Sequence, residues 1–411
     1  NRDAEGTADR QRKPRHRHGI ESLAHARTWT ACALASPIPP RRIDSVAEKQ
    51  ESYPSEATDF PQPPWYQAVI WTGADLRGLL RILQVNGWRV SPSYWPGCVV
   101  DLLFAAANSG LGGVQSLLYS RRVARVELQE PPLFVIGHWR TGTTWLHELL
   151  ALDPAHTSPT TYQCFVPRHF LLSERFLKSW SSFTLPSERP PDQMRMGWDA
   201  PQEDEFALCN LGVPSPYATI AFPNQPPTFM DYLTLEAVTP QQRQRWQRAL
   251  LSFVKSVQYR RAGRLVLKSP THTCRLPVLL EMFPDARFIH LVRDPVKVFH
   301  SAVRLWKSLF VAHGYQRPRF IGLQEFVLDT FAQMHERLQA TRDLVPAGRL
   351  LDVHYEDLVQ DVEGTLADCY EQLELGDFDR IRPEIQEYVM AHRDYQPNRH
   401  PSSREVEELV Y

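Results

Sequence analysis

The sequence lacks the cysteine and histidine patterns of metal sites and disulfide scaffolds. Its six cysteines are dispersed through 411 residues, with no C-x-x-C pair, and no H-E-x-x-H cluster occurs among the 15 histidines. Structural zinc sites and small disulfide-rich folds use such short spacings. We therefore expect no metal, and a reducing, cytoplasmic location is the simpler expectation.

An excess of charge of either sign is also missing. The 46 Lys and Arg residues nearly balance 47 Asp and Glu residues, which gives a net charge of −1 at pH 7. A protein with so little net charge has no overall field that attracts nucleic acid, so no nucleic-acid partner is expected. The sequence carries no signal for an oligomeric state.

Long uninterrupted hydrophobic runs are absent as well. The nearest to one, residues 98–119, is broken by Asp101, Asn108, Gln115 and three glycines. Such interruptions are poor for a bilayer span. The segment is therefore predicted to be a buried or interfacial helix, and a peripheral membrane contact is the alternative.

Composition and periodicity divide the chain into three parts. Residues 1–62 have little apolar periodicity and are predicted to be a disordered basic, proline-rich tail. Residues 63–130 are predicted to be a helical extension, with a membrane-proximal position as the alternative. In residues 131–411, short apolar runs alternate with helical patterns. Strands are predicted at 133–136, 265–268, 287–292 and 349–354. This alternation predicts an α/β domain, a parallel sheet flanked by helices on both faces.

A glycine-bounded loop follows the first predicted strand. Residues 137–144, G-H-W-R-T-G-T-T, match the phosphate-loop pattern G-x-x-x-x-G-K-[ST] except that Thr143 stands where the lysine should be. The unpaired N–H groups at the start of the following helix favour a bound anion. The loop is therefore predicted to hold an anion without hydrolysing a triphosphate, and Arg140 adds a positive charge within it.

Two further basic residues are predicted at strand ends. Arg293 follows the strand at 287–292, and Ser301 lies eight residues later on a predicted helix, while Lys268 ends the strand at 265–268. Arginine offers a planar donor fork suited to phosphate. Because carboxyl ends of parallel strands share one edge of the sheet, these residues and the loop are predicted to form one site.

Together these motifs resemble the sulfotransferases that use 3′-phosphoadenosine 5′-phosphosulfate (PAPS). In that family the first loop often reads P-[KR]-[ST]-G-T-[ST]-[WL], and residues 139–145 here read W-R-T-G-T-T-W. The Arg293–Ser301 spacing, the stretch L-V-L-K-S-P-T-H at 265–272 and the stretch Y-E-D-L at 355–358 are similar to other family motifs. The resemblance covers residues 131 to about 400 and implies a P-loop-like fold.

The resemblance implies roles for the residues that would bind the donor PAPS. The 5′-phosphosulfate would be held by Arg140, Thr141, Gly142, Thr143, Thr144 and Trp145. The 3′-phosphate would be held by Arg293 and Ser301, with Arg399 as a further candidate. Lys268 would point at the sulfuryl group, and Arg140 would neutralise the bridging oxygen. Sulfuryl transfer in this family requires no metal.

The general base is open between Glu203 and His272. Glu203 begins an acidic triplet in a proline-flanked setting, and His272 follows Lys268 much as the family's catalytic histidine follows its lysine, with two extra residues. Histidine has a suitable intrinsic pKa, whereas a carboxylate would need a raised one. Glu203 is slightly favoured.

No motif specifies the acceptor, which is expected to be a hydroxyl or amine of a small molecule, with a lipid or carbohydrate favoured. The aromatic-rich residues 160–232 are candidates for holding it, and the core of the domain is the alternative place for them. Two other classes of protein compete with a sulfotransferase. A kinase or nucleoside triphosphatase would need the missing loop lysine, and a non-catalytic nucleotide-binding protein would keep the loop without turnover.

Overall fold

A computed structural model describes residues 69–180 and 197–392. The predicted tail 1–62 and the candidate Arg399 lie outside these residues. The four strands predicted from the sequence are all present, and their bounds agree to within a residue.

A parallel sheet forms the centre of the described part of the chain. Its five strands are β1 (Leu133–Ile136), β2 (His156–Thr157), β3 (Arg264–Lys268), β4 (Arg287–Val292) and β5 (Leu350–His354). They lie in the order β2-β3-β1-β4-β5, and each neighbouring pair is parallel. β1 and β3 are buried at every residue, which explains their continuous apolar runs. β2 was not predicted, because two residues are too few to produce a pattern.

Helices surround this sheet. In chain order the described residues contain α1 (Leu76–Val85), α2 (Trp95–Ala124), α3 (Thr143–Ala151), α4 (Thr161–Phe165), α5 (Phe170–Trp180), α6 (Asp204–Asn210), α7 (Asp231–Thr234), α8 (Pro240–Arg260), α9 (Leu276–Met282), α10 (Pro295–His313), α11 (Leu323–Thr341), α12 (Tyr355–Gln360), α13 (Val362–Gln372) and α14 (Arg382–Ala391). Short 3₁₀ turns include Ile70–Gly73, Pro216–Ala221 and Pro270–Cys274.

The two faces of the sheet support separate apolar cores. Phe134 and Ile136 of β1 pack into one core with side chains of α8 and α9. Leu133 and Val135 pack into the other with side chains of α3 and α13. Since side chains alternate along a strand, this division means that helices cover both faces. The predicted α/β fold is confirmed.

The first helices pack against the same body as the sheet. Asp75 caps α1 by accepting from the Gly78 amide at 2.6 Å, and it pairs with Arg168 at 3.2 Å. The Trp71 indole donates to the carbonyl of His313 at 2.6 Å. α2 and α10 also contribute to one apolar cluster. The boundary near residue 130 remains a prediction.

The long helix α2 is buried along one side. There Asp101 accepts hydrogen bonds from Tyr315 at 2.9 Å and from Thr72 at 3.3 Å. Burial raises the pKa of this carboxyl group to about 6, although the two hydrogen bonds oppose the shift. At neutral pH the charged form of Asp101 therefore costs stability.

We expect Asp101→Asn to stabilise the protein more at pH 7.5 than at pH 4.5. The folded state binds this proton more tightly than the unfolded state, so wild-type stability falls as pH rises from about 4 to about 6. The amide can still accept from Tyr315, and the expected gain at pH 7.5 is about 1–2 kcal/mol. Thermal unfolding midpoints at both pH values test this. An equal difference at both would contradict it.

Candidate active site

The loop after β1 has an unusual backbone. Gly137, Arg140 and Gly142 have φ angles of +146°, +73° and +100°. A Cβ atom on Gly142 would lie 2.4 Å from Cδ2 of Tyr355, so both the conformation and the space require glycine there. α3 begins at the next residue. The loop thus wraps around the free N–H groups of a helix start.

Two threonine side chains, one in the turn after β3 and one in the loop itself, hold the loop backbone. Thr273 accepts from the Gly137 amide at 2.8 Å and donates to the Gly137 carbonyl at 3.1 Å. Within the loop, the Thr141 hydroxyl donates to the carbonyl of His138 at 2.8 Å. These hydrogen bonds within the protein therefore hold the loop backbone in its conformation.

The predicted phosphate-binding residues meet between β1 and β4. Arg140 Nε donates to Ser301 Oγ at 2.8 Å, and Arg293 Nη1 donates to the Arg140 carbonyl at 2.9 Å. The connection after β1 runs towards β2 and that after β4 runs towards β5, so this is the point where the strand order reverses. Open α/β sheets bind ligands at such a point.

Arg293 has unused donor capacity at this point. Its guanidinium lies over the Tyr355 ring, 4.1 Å from the ring centre. Its Nε is buried and finds no hydrogen-bond partner among the described residues. A buried guanidinium N–H without an acceptor is costly, and an anionic ligand would satisfy it.

Lys268 and Glu203 form an ion pair beside the loop. Lys268 Nζ donates to Glu203 Oε1 at 2.6 Å and to Thr144 Oγ1 at 3.3 Å. The Lys268 side chain is 1% exposed and that of Glu203 is 13% exposed. Three predicted site residues, from three separate segments, therefore converge, and Glu203 is the most accessible carboxylate of its triplet.

Tyr217 supports the other oxygen of Glu203. Its hydroxyl donates to Glu203 Oε2 and accepts from the indole of Trp139 at 3.0 Å. Burial and the adjacent carboxylate raise the pKa of Tyr217 well above its usual value, so the phenol stays neutral. This residue was missed as a partner of Glu203, because nothing in the sequence connects the two positions.

The next two carboxylates of the triplet are buried. Asp204 accepts from Ser269 Oγ at 3.0 Å and lies 2.7 Å from His272 Nε2. Glu205 is held by both terminal nitrogens of Arg275, at 2.5 and 3.1 Å. Although burial raises their pKa values, these partners outweigh it and leave both below their usual range. Both side chains remain ionised and structural.

His272 is enclosed rather than exposed to a ligand. Its side chain has no solvent-accessible area, and its ring meets those of Phe134 and Trp246 edge to face. With Nε2 directed at Asp204, it has the surroundings of a core residue. The geometry favours Glu203 over His272 as the base.

The remaining candidates lie around the same loop. Thr141 and Thr143 are buried, and Trp145 packs with Tyr355 against the apolar core beneath α3. The contact of Tyr355 with Arg293 was not predicted, although Tyr355 opens the Y-E-D-L stretch. Within the described residues, no group of three or more His, Cys, Asp or Glu side chains is arranged to hold a metal ion. The site combines the loop predicted to bind an anion with a Lys–Glu pair.

Comparison with known proteins identifies a family and relatives that this chain resembles. The family described as “Sulfotransferase family” matches residues 131–380. Omega-hydroxy-beta-dihydromenaquinone-9 sulfotransferases Stf3 of Mycobacterium bovis and Mycobacterium tuberculosis are each 43% identical over 345 residues, 84% of this chain and 89% of theirs.

Solved structures show the same fold. Sulfotransferase STF9 from Mycobacterium avium superposes with a TM-score of 0.61 at 20% identity, covering 87% of this chain and 90% of its own. Sulfotransferase STF1 from Mycobacterium tuberculosis H37Rv gives a TM-score of 0.53 at 21% identity, covering 81% and 90%.

We expect Glu205→Gln to destabilise the protein by about 3–5 kcal/mol, because it leaves the buried Arg275 charge uncompensated. Glu281→Gln, which breaks an exposed pair with Arg243, should cost less than about 1 kcal/mol. The free energy of unfolding in urea measures both. Adding Arg275→Met to Glu205→Gln should recover part of the loss, and similar small effects for Glu205→Gln and Glu281→Gln would refute the structural role.

Proposed function

The chain belongs to the sulfotransferase family, and from this premise we propose that it transfers a sulfuryl group from PAPS to a hydroxyl of an apolar lipid. The observation that carries this mechanism is the Lys268–Glu203 pair, 2.6 Å apart and beside Thr144 of the loop. Family membership selects this activity over the kinase and the non-catalytic alternatives.

The donor-binding residues support PAPS as the donor. PAPS supplies an activated sulfuryl group on a 5′-phosphate and carries a separate 3′-phosphate. The start of α3, with Thr143 and Thr144, is suited to the first anion because its N–H groups point out of the helix. Arg293, with a buried and unsatisfied Nε, and Ser301 are suited to the second.

Glu203 is the proposed general base and Lys268 the proposed electrostatic partner. The acceptor oxygen would form a bond to sulfur while its proton moves to a Glu203 carboxylate oxygen. The bond between sulfur and the phosphate oxygen breaks, and its electron pair stays on that oxygen. Once Glu203 is protonated it no longer neutralises Lys268, whose ammonium then stabilises the leaving phosphate.

A lipid acceptor is supported by the relatives and by the surroundings of Glu203. The 43%-identical relatives are named for a dihydromenaquinone with an omega-hydroxyl group. Tyr217, which donates to Glu203, belongs to an apolar cluster with Trp139 and Trp306. We propose that the acceptor is likewise a long apolar molecule with a terminal hydroxyl.

We expect Glu203→Gln to lower kcat by about 10²–10⁴-fold while adenosine 3′,5′-bisphosphate binds almost as in wild type. The amide keeps the shape but cannot take a proton. Initial rates with PAPS and an omega-hydroxylated isoprenoid quinol measure kcat, and calorimetry measures binding. His272→Gln is the matched test of the other candidate base. This variant should lower the unfolding temperature but preserve turnover per folded molecule. If His272→Gln instead abolished turnover while Glu203→Gln preserved it, His272 would be the general base.

We expect Arg293→Ala to weaken binding of adenosine 3′,5′-bisphosphate about 10–100-fold, because charge-assisted hydrogen bonds are lost. Arg248→Ala, at an exposed arginine of α8, is the control and should bind like wild type. Calorimetry without metal measures both. Unchanged affinity in Arg293→Ala would remove this residue from the proposed donor site.

A further inference from the structure

Helix α2 turns polar side chains towards the protein and apolar side chains away from it. Its buried residues are Cys98, Asp101, Ala105, Asn108, Gly112, Gln115 and Val123. Besides Trp95 at its start, its exposed large apolar residues, here named the apolar face of α2, are Val99, Val100, Leu103, Phe104, Leu111, Val114, Leu117 and Leu118. Leu103 is 67% exposed and Leu117 is 85% exposed. A surface helix in water has the opposite arrangement.

Hydrogen bonds fix which side of α2 faces the protein. The Asn108 amide donates to the carbonyl of Thr72 at 2.9 Å and also pairs with His169 at 3.0 Å. Gln115 accepts from the backbone amide of Leu171 at 2.8 Å. With the Asp101 contacts, these bonds are distributed along the helix. The apolar face is therefore held outward by the fold.

The apolar face is uninterrupted by charge. From Trp95 to Ser120 the only charged residue is Asp101, which is buried. The segment Pro92–Ala124 is long and apolar enough to cross a membrane by length and composition. However, its polar side is bonded laterally to the protein, so crossing would carry those packed neighbours into hydrocarbon. A helix lying in the plane of a bilayer surface meets both constraints.

The two ends of α2 have the chemistry of a membrane interface. At the start, the partly exposed rings of Trp88 and Trp95 stack with centres 6.5 Å apart. At the end, Arg121, Arg122 and Arg125 are exposed. Tryptophan favours the headgroup level, and arginine is attracted to anionic headgroups. The exposed part of α2 carries no acidic residue, so a second copy would offer these arginines no partner on this face.

We propose that the apolar face of α2 docks the protein on an anionic bilayer. Cys98 and Ala105 on its inner side share an apolar cluster with Trp139 and Tyr217 of the site. Docking would thus hold the site close to a lipid acceptor. That catalytic benefit rests on the proposed function, whereas docking itself does not.

Vesicle flotation with the full chain tests the docking. Wild-type protein should float with vesicles of phosphatidylcholine and phosphatidylglycerol, and Leu103→Glu with Leu117→Glu should reduce binding at least tenfold at an unchanged unfolding temperature. Met390→Glu is the matched control, since Met390 is 62% exposed on α14, and it should float like wild type. Absence of wild-type flotation, or equal flotation of the double variant, would overturn the proposal.

Two further measurements are needed. One distinguishes membrane docking from self-association, and the other tests the docking proposal separately from the proposed lipid acceptor. If light scattering without vesicles shows a dimer that the double variant converts to a monomer, and wild type does not float, the face binds a second copy and the proposal fails. The double variant should sulfate a short, water-soluble alcohol at the wild-type rate and lose turnover on acceptor in vesicles. Wild type that floats but sulfates no lipid would contradict the proposed acceptor and leave docking supported.

Discussion

The candidate site depends on the pairing of three consecutive carboxylates with the last residue of β3 and the segment that follows it. Glu203 pairs with Lys268, Asp204 with Ser269 and His272, and Glu205 with Arg275. The Glu205 amide also donates to Ser269 Oγ at 3.1 Å. These contacts fasten the start of α6 to the carboxyl edge of the sheet. Together with Tyr217, they fix the position of Glu203 relative to the loop.

This row of pairs runs from the interior to the site. The deepest pair, Glu205 and Arg275, is completely buried, and its remaining bonding capacity is used by Ser215, Thr271 and the carbonyl of Tyr232. Buried charges are tolerated when every donor and acceptor is satisfied. Glu203, at the other end, retains partial exposure. The inner pairs give rigidity, and the outer pair keeps a carboxylate within reach of a substrate proton.

The sequence was sufficient to predict those parts of the site that local pattern and sheet topology determine together. An apolar strand, a glycine-bounded turn and a helix start predicted the loop, and the shared edge of a parallel sheet brought it near Lys268, Arg293 and Ser301. It could not separate Glu203 from His272, because the pairing of His272 with Asp204 joins residues 68 positions apart. It likewise did not predict the contact of Tyr217 with Glu203, which exists only through the fold. Contacts between distant segments produce no local periodicity in the sequence, so they cannot be predicted from it.

Buried polar groups must be paired, and this rule also applies to α2. It explains why the sequence left two alternatives for this helix, a buried or interfacial position and a peripheral membrane contact. Asp101, Asn108 and Gln115 made the segment look poor for a membrane, because the pattern does not reveal that all three point inward. An apolar inner surface would tolerate several rotations of the helix, since apolar contacts are not directional. Hydrogen bonds to Thr72, Tyr315 and the Leu171 amide select one rotation. The outward residues thereby have no role in the core, and packing within the protein does not account for their apolar character.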